Sequence, residues 1–132
     1  MMRHPAPEIG PALAAHPHVG LAIVYGSVAA QTATAESDLD LGVMGARPLT
    51  PSQRTALIAD LALHSGRPVD LVDLRTTHGT LLREILRTGV RVLEQDATLY
   101  PALLHRHALD EADFQPIRDR ILAERRRGWI GA

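Results

Sequence analysis

Two aspartates, Asp38 and Asp40, flank a single leucine at the head of an apolar run, Leu39-Asp-Leu-Gly-Val-Met44. In an extended chain successive side chains point to opposite faces, so both carboxylates share a face, their Cα atoms roughly 6–7 Å apart. Carboxylates this close repel one another, and an apolar sheet surface does not keep both ionised without compensation. A divalent cation supplies it. Mg²⁺ takes hard oxygen ligands, keeps several waters, and is usually shared between a few carboxylates and the phosphates of a substrate. A third carboxylate, Asp70, lies in another apolar run, Val69-Asp-Leu-Val-Asp-Leu74. If the two runs are neighbouring strands, Asp70 completes a three-carboxylate cluster suited to two metal ions roughly 3.5–4 Å apart. Asp73 falls on the opposite face of a regular strand, away from that cluster.

Upstream, Gly26-Ser27 follows the run Val19-Gly-Leu-Ala-Ile-Val-Tyr25. A glycine at a strand-to-helix turn lets the backbone approach a ligand closely. The N–H groups beyond it favour phosphate, and the Ser27 hydroxyl can donate to a phosphate oxygen. Phosphates held by the turn and metals held by the aspartates would place a triphosphate for in-line attack on its α-phosphorus. Taken singly the pieces are common. Gly-Ser occurs in any loop, Asp-x-Asp is usually a solvated strand edge, and a lone Asp70 would serve as a turn or cap.

The elements that must position these residues are well marked. A short helix is expected near Pro11–His16, then a strand over Val19–Tyr25 and a helical turn over Val28–Thr34. Leu39–Met44 is a second strand, its apolar and polar residues alternating at the start. The next helix carries clear signposts: Thr50 as N-cap, Pro51 in the first position, Gln53 completing a capping box, and Gly66 with Pro68 ending it. Leu57, Ile58 and Leu61 form its apolar stripe. Val69–Leu74 is the third strand; a helix near Leu81–Arg87 and a short strand over Val90–Leu93 follow. The tail is expected as two helices split near Asp113–Pro116, Pro116 opening the second. Strands alternating with helices imply an α/β or α+β domain, a small mixed sheet flanked by helices. Residues 1–132 read as one domain, a catalytic sheet over about 10–95 and a helical tail over about 97–128.

At this point the chain resembles a known family. Val24-Tyr-Gly-Ser27, ten residues, and then Asp38-Leu-Asp-Leu-Gly-Val43, with Val69–Leu74 beyond, is similar to the Gly-Ser-x10-Asp-x-Asp signature of minimal nucleotidyltransferases of the polymerase-beta-like superfamily. Many of these are antitoxins to HEPN-domain RNase toxins. The tail from Tyr100 to Gly128, with Asp113-Phe114 before an Arg-rich end, is also similar in pattern. The resemblance implies transfer of AMP from ATP to a tyrosine hydroxyl of the partner toxin, which neutralises it, with assembly into a hetero-oligomer. By position it implies that Gly26 and Ser27 hold phosphate and that Asp38, Asp40 and Asp70 hold Mg²⁺, Asp70 also helping to deprotonate the acceptor. The family commonly carries an arginine directly after Gly-Ser and a glycine three residues further on; here Val28 and Gln31 stand there. The alternatives are an antitoxin that acts by binding alone and a transferase acting on a small molecule such as an aminoglycoside. A sheet domain and a tail leave no separate acceptor-binding domain within these residues, so another molecule is expected to bring the acceptor hydroxyl.

Composition narrows the classes further. The net charge is −1 and there is no cysteine, which argues against direct nucleic-acid binding through phosphates and excludes disulfides and thiolate metal sites. All fourteen basic residues are arginine, so any side-chain cation that meets a phosphate is a guanidinium or a protonated histidine. No apolar run reaches the roughly 18 residues of a membrane span, and residues 1–10 lack a signal-peptide pattern, so a cytoplasmic protein is expected. Arg125-Arg-Arg127 and Trp129 suit either the end of a helix or a partner contact. Pairs such as His16 and His18, two residues apart, do not share a helix face, and the histidines are expected on the surface or in the core.

Overall fold

In a computed structural model, residues 4–130 are described, with side chains given up to residue 112 and at 120, 121 and 123. Four strands form one sheet in the order β3-β2-β1-β4: β1 (Leu21–Tyr25), β2 (Leu39–Met44), β3 (Val69–Asp73) and β4 (Val90–Glu94). β1 runs antiparallel to both β2 and β4, while β2 and β3 are parallel. The mixed α/β architecture is the expected one. The parallel pair exists because the long helix α3 (Pro51–Ser65) carries the chain back between β2 and β3, as a parallel crossover requires.

Side-chain alternation divides the core in two. Ala22 and Val24 of β1, Leu39, Leu41 and Val43 of β2, and Leu71 of β3 face Leu57 and Leu61 of α3 and the short helix α1 (Gly10–Ala14). Leu21, Ile23 and Tyr25 face the other way, onto Leu82 and Ile85 of α4 (Gly79–Thr88) and Leu99 and Leu103 of α5 (Leu99–Ile130). The capping box read at Thr50 is formed in full, with Gln53 N–H donating to Thr50 Oγ1 at 3.1 Å and Thr50 N–H to Gln53 Oε1 at 3.0 Å. Gly66 ends α3 in the left-handed conformation, φ 67°.

Two expectations are corrected. The helix after Gly-Ser, α2, spans Gly26–Ala30 and stops well before Thr34 because Gln31 turns left-handed, φ 61°. The tail is one helix, α5, running through 113–116 without a break. A proline removes one backbone donor and can bend a helix, but hydrogen bonds on both sides carry a long helix past it. Arg125–Trp129 falls in this backbone, its side chains outside those described. Among the described residues no helix is long and apolar enough to cross a membrane.

Candidate functional site

Strand register brings the predicted residues together. Tyr25 pairs with Asp40 across β1 and β2, and Asp40 pairs with Asp70 across β2 and β3. Directly opposed residues on one sheet face have Cβ atoms roughly 4.5–5.5 Å apart, so the three form a row on the face that carries α4. Asp38 lies just ahead of β2, exposed at the rim of the same end. Asp73 behaves otherwise: its carboxylate accepts from Leu49 N–H at 2.7 Å and Arg75 N–H at 2.9 Å, securing the turns beyond β2 and β3. That is a structural role, on the face the strand period assigns to it.

Gly26 begins α2 with φ +70°, and a β-carbon there would collide with the carboxylate of Asp40. The glycine is therefore required twice over, once for the turn and once so that Asp40 can lie against the backbone. Ser27, half-buried in the same turn, makes no side-chain hydrogen bond among the described residues. α2 is a single turn, so its offer to an anion is the N–H groups of that turn and this hydroxyl, rather than a long helix dipole.

The electrostatics follow from the crowding. Burial, then Asp70 and then Asp38, push the carboxyl of Asp40 above its usual range. Burial, with Asp70 and Asp40 adding to it, pushes the Tyr25 phenol up to about 12, so it stays neutral and apolar in its packing. Among the described residues no carboxylate of Asp38, Asp40 or Asp70 accepts a hydrogen bond or forms an ion pair. Carboxylates grouped at one end of the sheet without a protein donor are the kind of oxygen ligand that a hard divalent cation takes. No three carboxylate or imidazole groups among the described residues already surround one point at ligating distance.

With Asp38 and Asp70 exposed and Asp40 half-buried, the site is an open rim. Hollows of about 350 Å³, beside His78, Arg83 and His107, and about 310 Å³, beside His18 and Arg47, include none of the three carboxylates. Two histidines are tied into the scaffold: His16 Nε2 meets Asp60 at 2.6 Å and His78 Nδ1 meets Asp110 at 2.9 Å.

Residues 8–98 match the family model described as polymerase beta, nucleotidyltransferase. The chain belongs to this family. It is 30% identical over 112 residues to the protein adenylyltransferase MntA of Shewanella oneidensis, covering 81% of this chain and 79% of that protein. Among solved structures it is similar to a chain of a toxin–antitoxin with AMP-PNP, with TM-score 0.70, 27% identity, and coverage of 89% of this chain and 98% of the other. A second is a complex of a tri-AMPylated Shewanella oneidensis HEPN toxin with its MNT antitoxin, with TM-score 0.65, 25% identity, and coverage of 89% and 96%. The nucleotidyltransferase match covers every residue of the row and the turn, from Tyr25 and Gly26 to Asp70.

One departure from the family pattern now has a structural reading. Val28 is only 8% exposed and packs in the α3-side core with Leu39 and Leu41, on the opposite face from the carboxylates. The residue sequence reasoning missed altogether is Arg67, which precedes Pro68 and whose guanidinium reaches the loop before Asp38. The only available signal was a lone cation three positions ahead of Asp70.

Proposed function

We propose that this chain is an Mg²⁺-dependent adenylyltransferase that moves AMP from ATP to a tyrosine hydroxyl of a HEPN-type toxin and thereby acts as its antitoxin. The observation that carries the reading is the register of Asp40 opposite Asp70, beside the Gly26 turn, with no protein donor on either carboxylate. The names and complexes of the relatives support the choice of ATP and of a toxin partner.

Asp38, Asp40 and Asp70 would hold the metal, and the bound cation would supply charge neutralisation at the α-phosphate and the leaving oxygens. Gly26 and Ser27 orient the triphosphate through backbone N–H groups and the hydroxyl. The acceptor oxygen bonds to the α-phosphorus, the bond from that phosphorus to the bridging oxygen breaks, and pyrophosphate leaves. The acceptor proton passes to the carboxylate of Asp70, the most exposed member of the Tyr25–Asp40–Asp70 row and so the one an incoming hydroxyl meets. An open rim suits an acceptor carried in by a protein, with residues 10–95 as the catalytic unit and the tail beyond it available for docking.

The test is mass spectrometry of a neighbouring HEPN protein after incubation with this chain and Mg·ATP. One or more AMP additions are expected, and Asp40→Asn should reduce their rate by more than the roughly 100-fold that an outer-shell change can cost. A partner that binds tightly yet stays unmodified would establish the second reading, neutralisation by binding alone. The buried Val28, which leaves no guanidinium after Ser27, is the observation favouring it.

A further inference from the structure

We propose that Arg67 is the positioning residue that sets Asp38 against Asp40 and Asp70, and so determines how well the acidic cluster takes up metal. The inference rests on the function proposed above. It begins with the loop between α2 and β2. Residues 34–37 form a tight turn, Ser37 N–H donating to Thr34 O at 3.2 Å and Thr34 N–H to Ser37 Oγ at 2.8 Å. A single nitrogen of Arg67, Nη1, donates to both ends of this turn, to Thr34 O at 2.6 Å and Ser37 O at 3.0 Å. The next residue, Pro68, accepts from Leu39 N–H at 2.8 Å.

Asp38 therefore lies between two pinned peptide units. The carbonyl before it is held by Arg67 and the N–H after it by Pro68. The same Arg67-Pro68 pair leads directly into β3, where Asp70 stands opposite Asp40. One dipeptide thus ties an exposed carboxylate of the cluster, ahead of β2, to the strand that carries another. The guanidinium donates through Nη1 to carbonyls and forms no ion pair with Asp38, Asp40 or Asp70 among the described residues, so it orients the cluster without pairing with it. Groups that hold metal ligands in place are worth about 10–100-fold in metal affinity.

The experiment titrates Mg²⁺ into the full chain with α,β-methylene-ATP, which cannot be cleaved at the reacting bond, and reads uptake by calorimetry. Arg67→Ala is expected to weaken Mg²⁺ uptake about tenfold or more. Arg67→Lys should recover most of the loss, because one nitrogen makes both bonds and an ammonium has donors for two carbonyls. In an Asp38→Asn background Arg67→Ala should cost little further, the non-additivity expected when one residue acts through the other. Arg67→Gln, too short to span to the turn, is expected to match the alanine variant and serves if the latter does not fold. A folded Arg67→Ala or Arg67→Gln with wild-type uptake, or losses that add fully to those of Asp38→Asn, would overturn the role of Arg67 alone. A wild-type chain that takes up no Mg²⁺ with nucleotide would overturn the proposed function and this role together.

Discussion

At one end of the sheet Arg106 donates to the carbonyls of Leu74, Arg75 and Thr77, and Arg75 in turn donates to that of Gly45. At the other, roughly 13 Å away along β1, the carboxylates of Asp38, Asp40 and Asp70 meet no donor at all among the described residues. Both ends contain charge, but it is used in opposite ways. The arginine end spends its charge on loop backbones that would otherwise lose hydrogen bonds to water, and it locks α5 to the turn after β3. The acidic end leaves its charge unspent. Proteins accept such local cost where a site serves something outside the chain, and under the function proposed above the contrast separates the part of the molecule built for stability from the part built for chemistry.

The largest effect comes from forcing a cation into the acidic end. Val28→Arg restores the residue type common in the family, but at a position packed among Leu39 and Leu41. An uncompensated buried guanidinium costs about 3–5 kcal/mol, a large share of the roughly 5–15 kcal/mol that holds a domain together. Chemical denaturation should show a loss of that order. A variant with the wild-type midpoint would break the comparison, because the acidic end would then accept a cation as readily as the arginine end.

A matched pair of substitutions sharpens it. Arg106→Ala should destabilise the protein by about 2–3 kcal/mol, since carbonyls satisfied by the guanidinium lose their donors. Asp40→Asn, compared in chelator without metal, should melt no lower than wild type at neutral pH. The sign follows from the raised carboxyl of Asp40, which burial, then Asp70 and Asp38, disfavour in its ionised form. The folded state bears that cost above the raised folded value and is relieved of it as pH falls through the carboxylate range, so any advantage of the asparagine should fade in acid. Differential scanning calorimetry across pH reads both. Equal losses for the two variants would mean that Asp40 is a structural group like Arg106.

How far the sequence anticipates this arrangement depends on the range of the interaction. Thr50, Gln53 and Gly66 act within a turn or two, and their cap was readable as written. Asp40 and Asp70 were readable as a pair because a period of two fixes the face and only the neighbour had to be supplied. Arg67 was not readable: it acts on Thr34 and Ser37, some thirty positions away, through a loop whose path no local pattern dictates. The break expected at Pro116 failed for the converse reason, a strong local signal outweighed by helix on either side.

The smallest effect concerns the backbone of the acidic end. Gln31 closes α2 at φ 61° and ψ 32°, a left-handed conformation that costs an L-residue roughly 1–2 kcal/mol and a glycine almost nothing. The side chain is exposed and makes no hydrogen bond among the described residues, so removing it sacrifices no packing. Against the gain stands the greater freedom of glycine in the unfolded chain, about 0.5–1 kcal/mol. The difference leaves Gln31→Gly more stable by up to about 1 kcal/mol, a rise of a few degrees in melting temperature. Gln31→Ala should show no such rise, because its β-carbon keeps the steric cost. The contrast matters at this site because α2 is one turn long, so the residue that ends it also holds the turn carrying Ser27. If glycine stabilises and alanine does not, the acidic end gains stability through its backbone, in a place where Val28→Arg is expected to lose it through added charge. If the two variants melt alike, the strain at Gln31 is absorbed elsewhere, and the turn at Gly26–Ser27 owes nothing to how α2 ends.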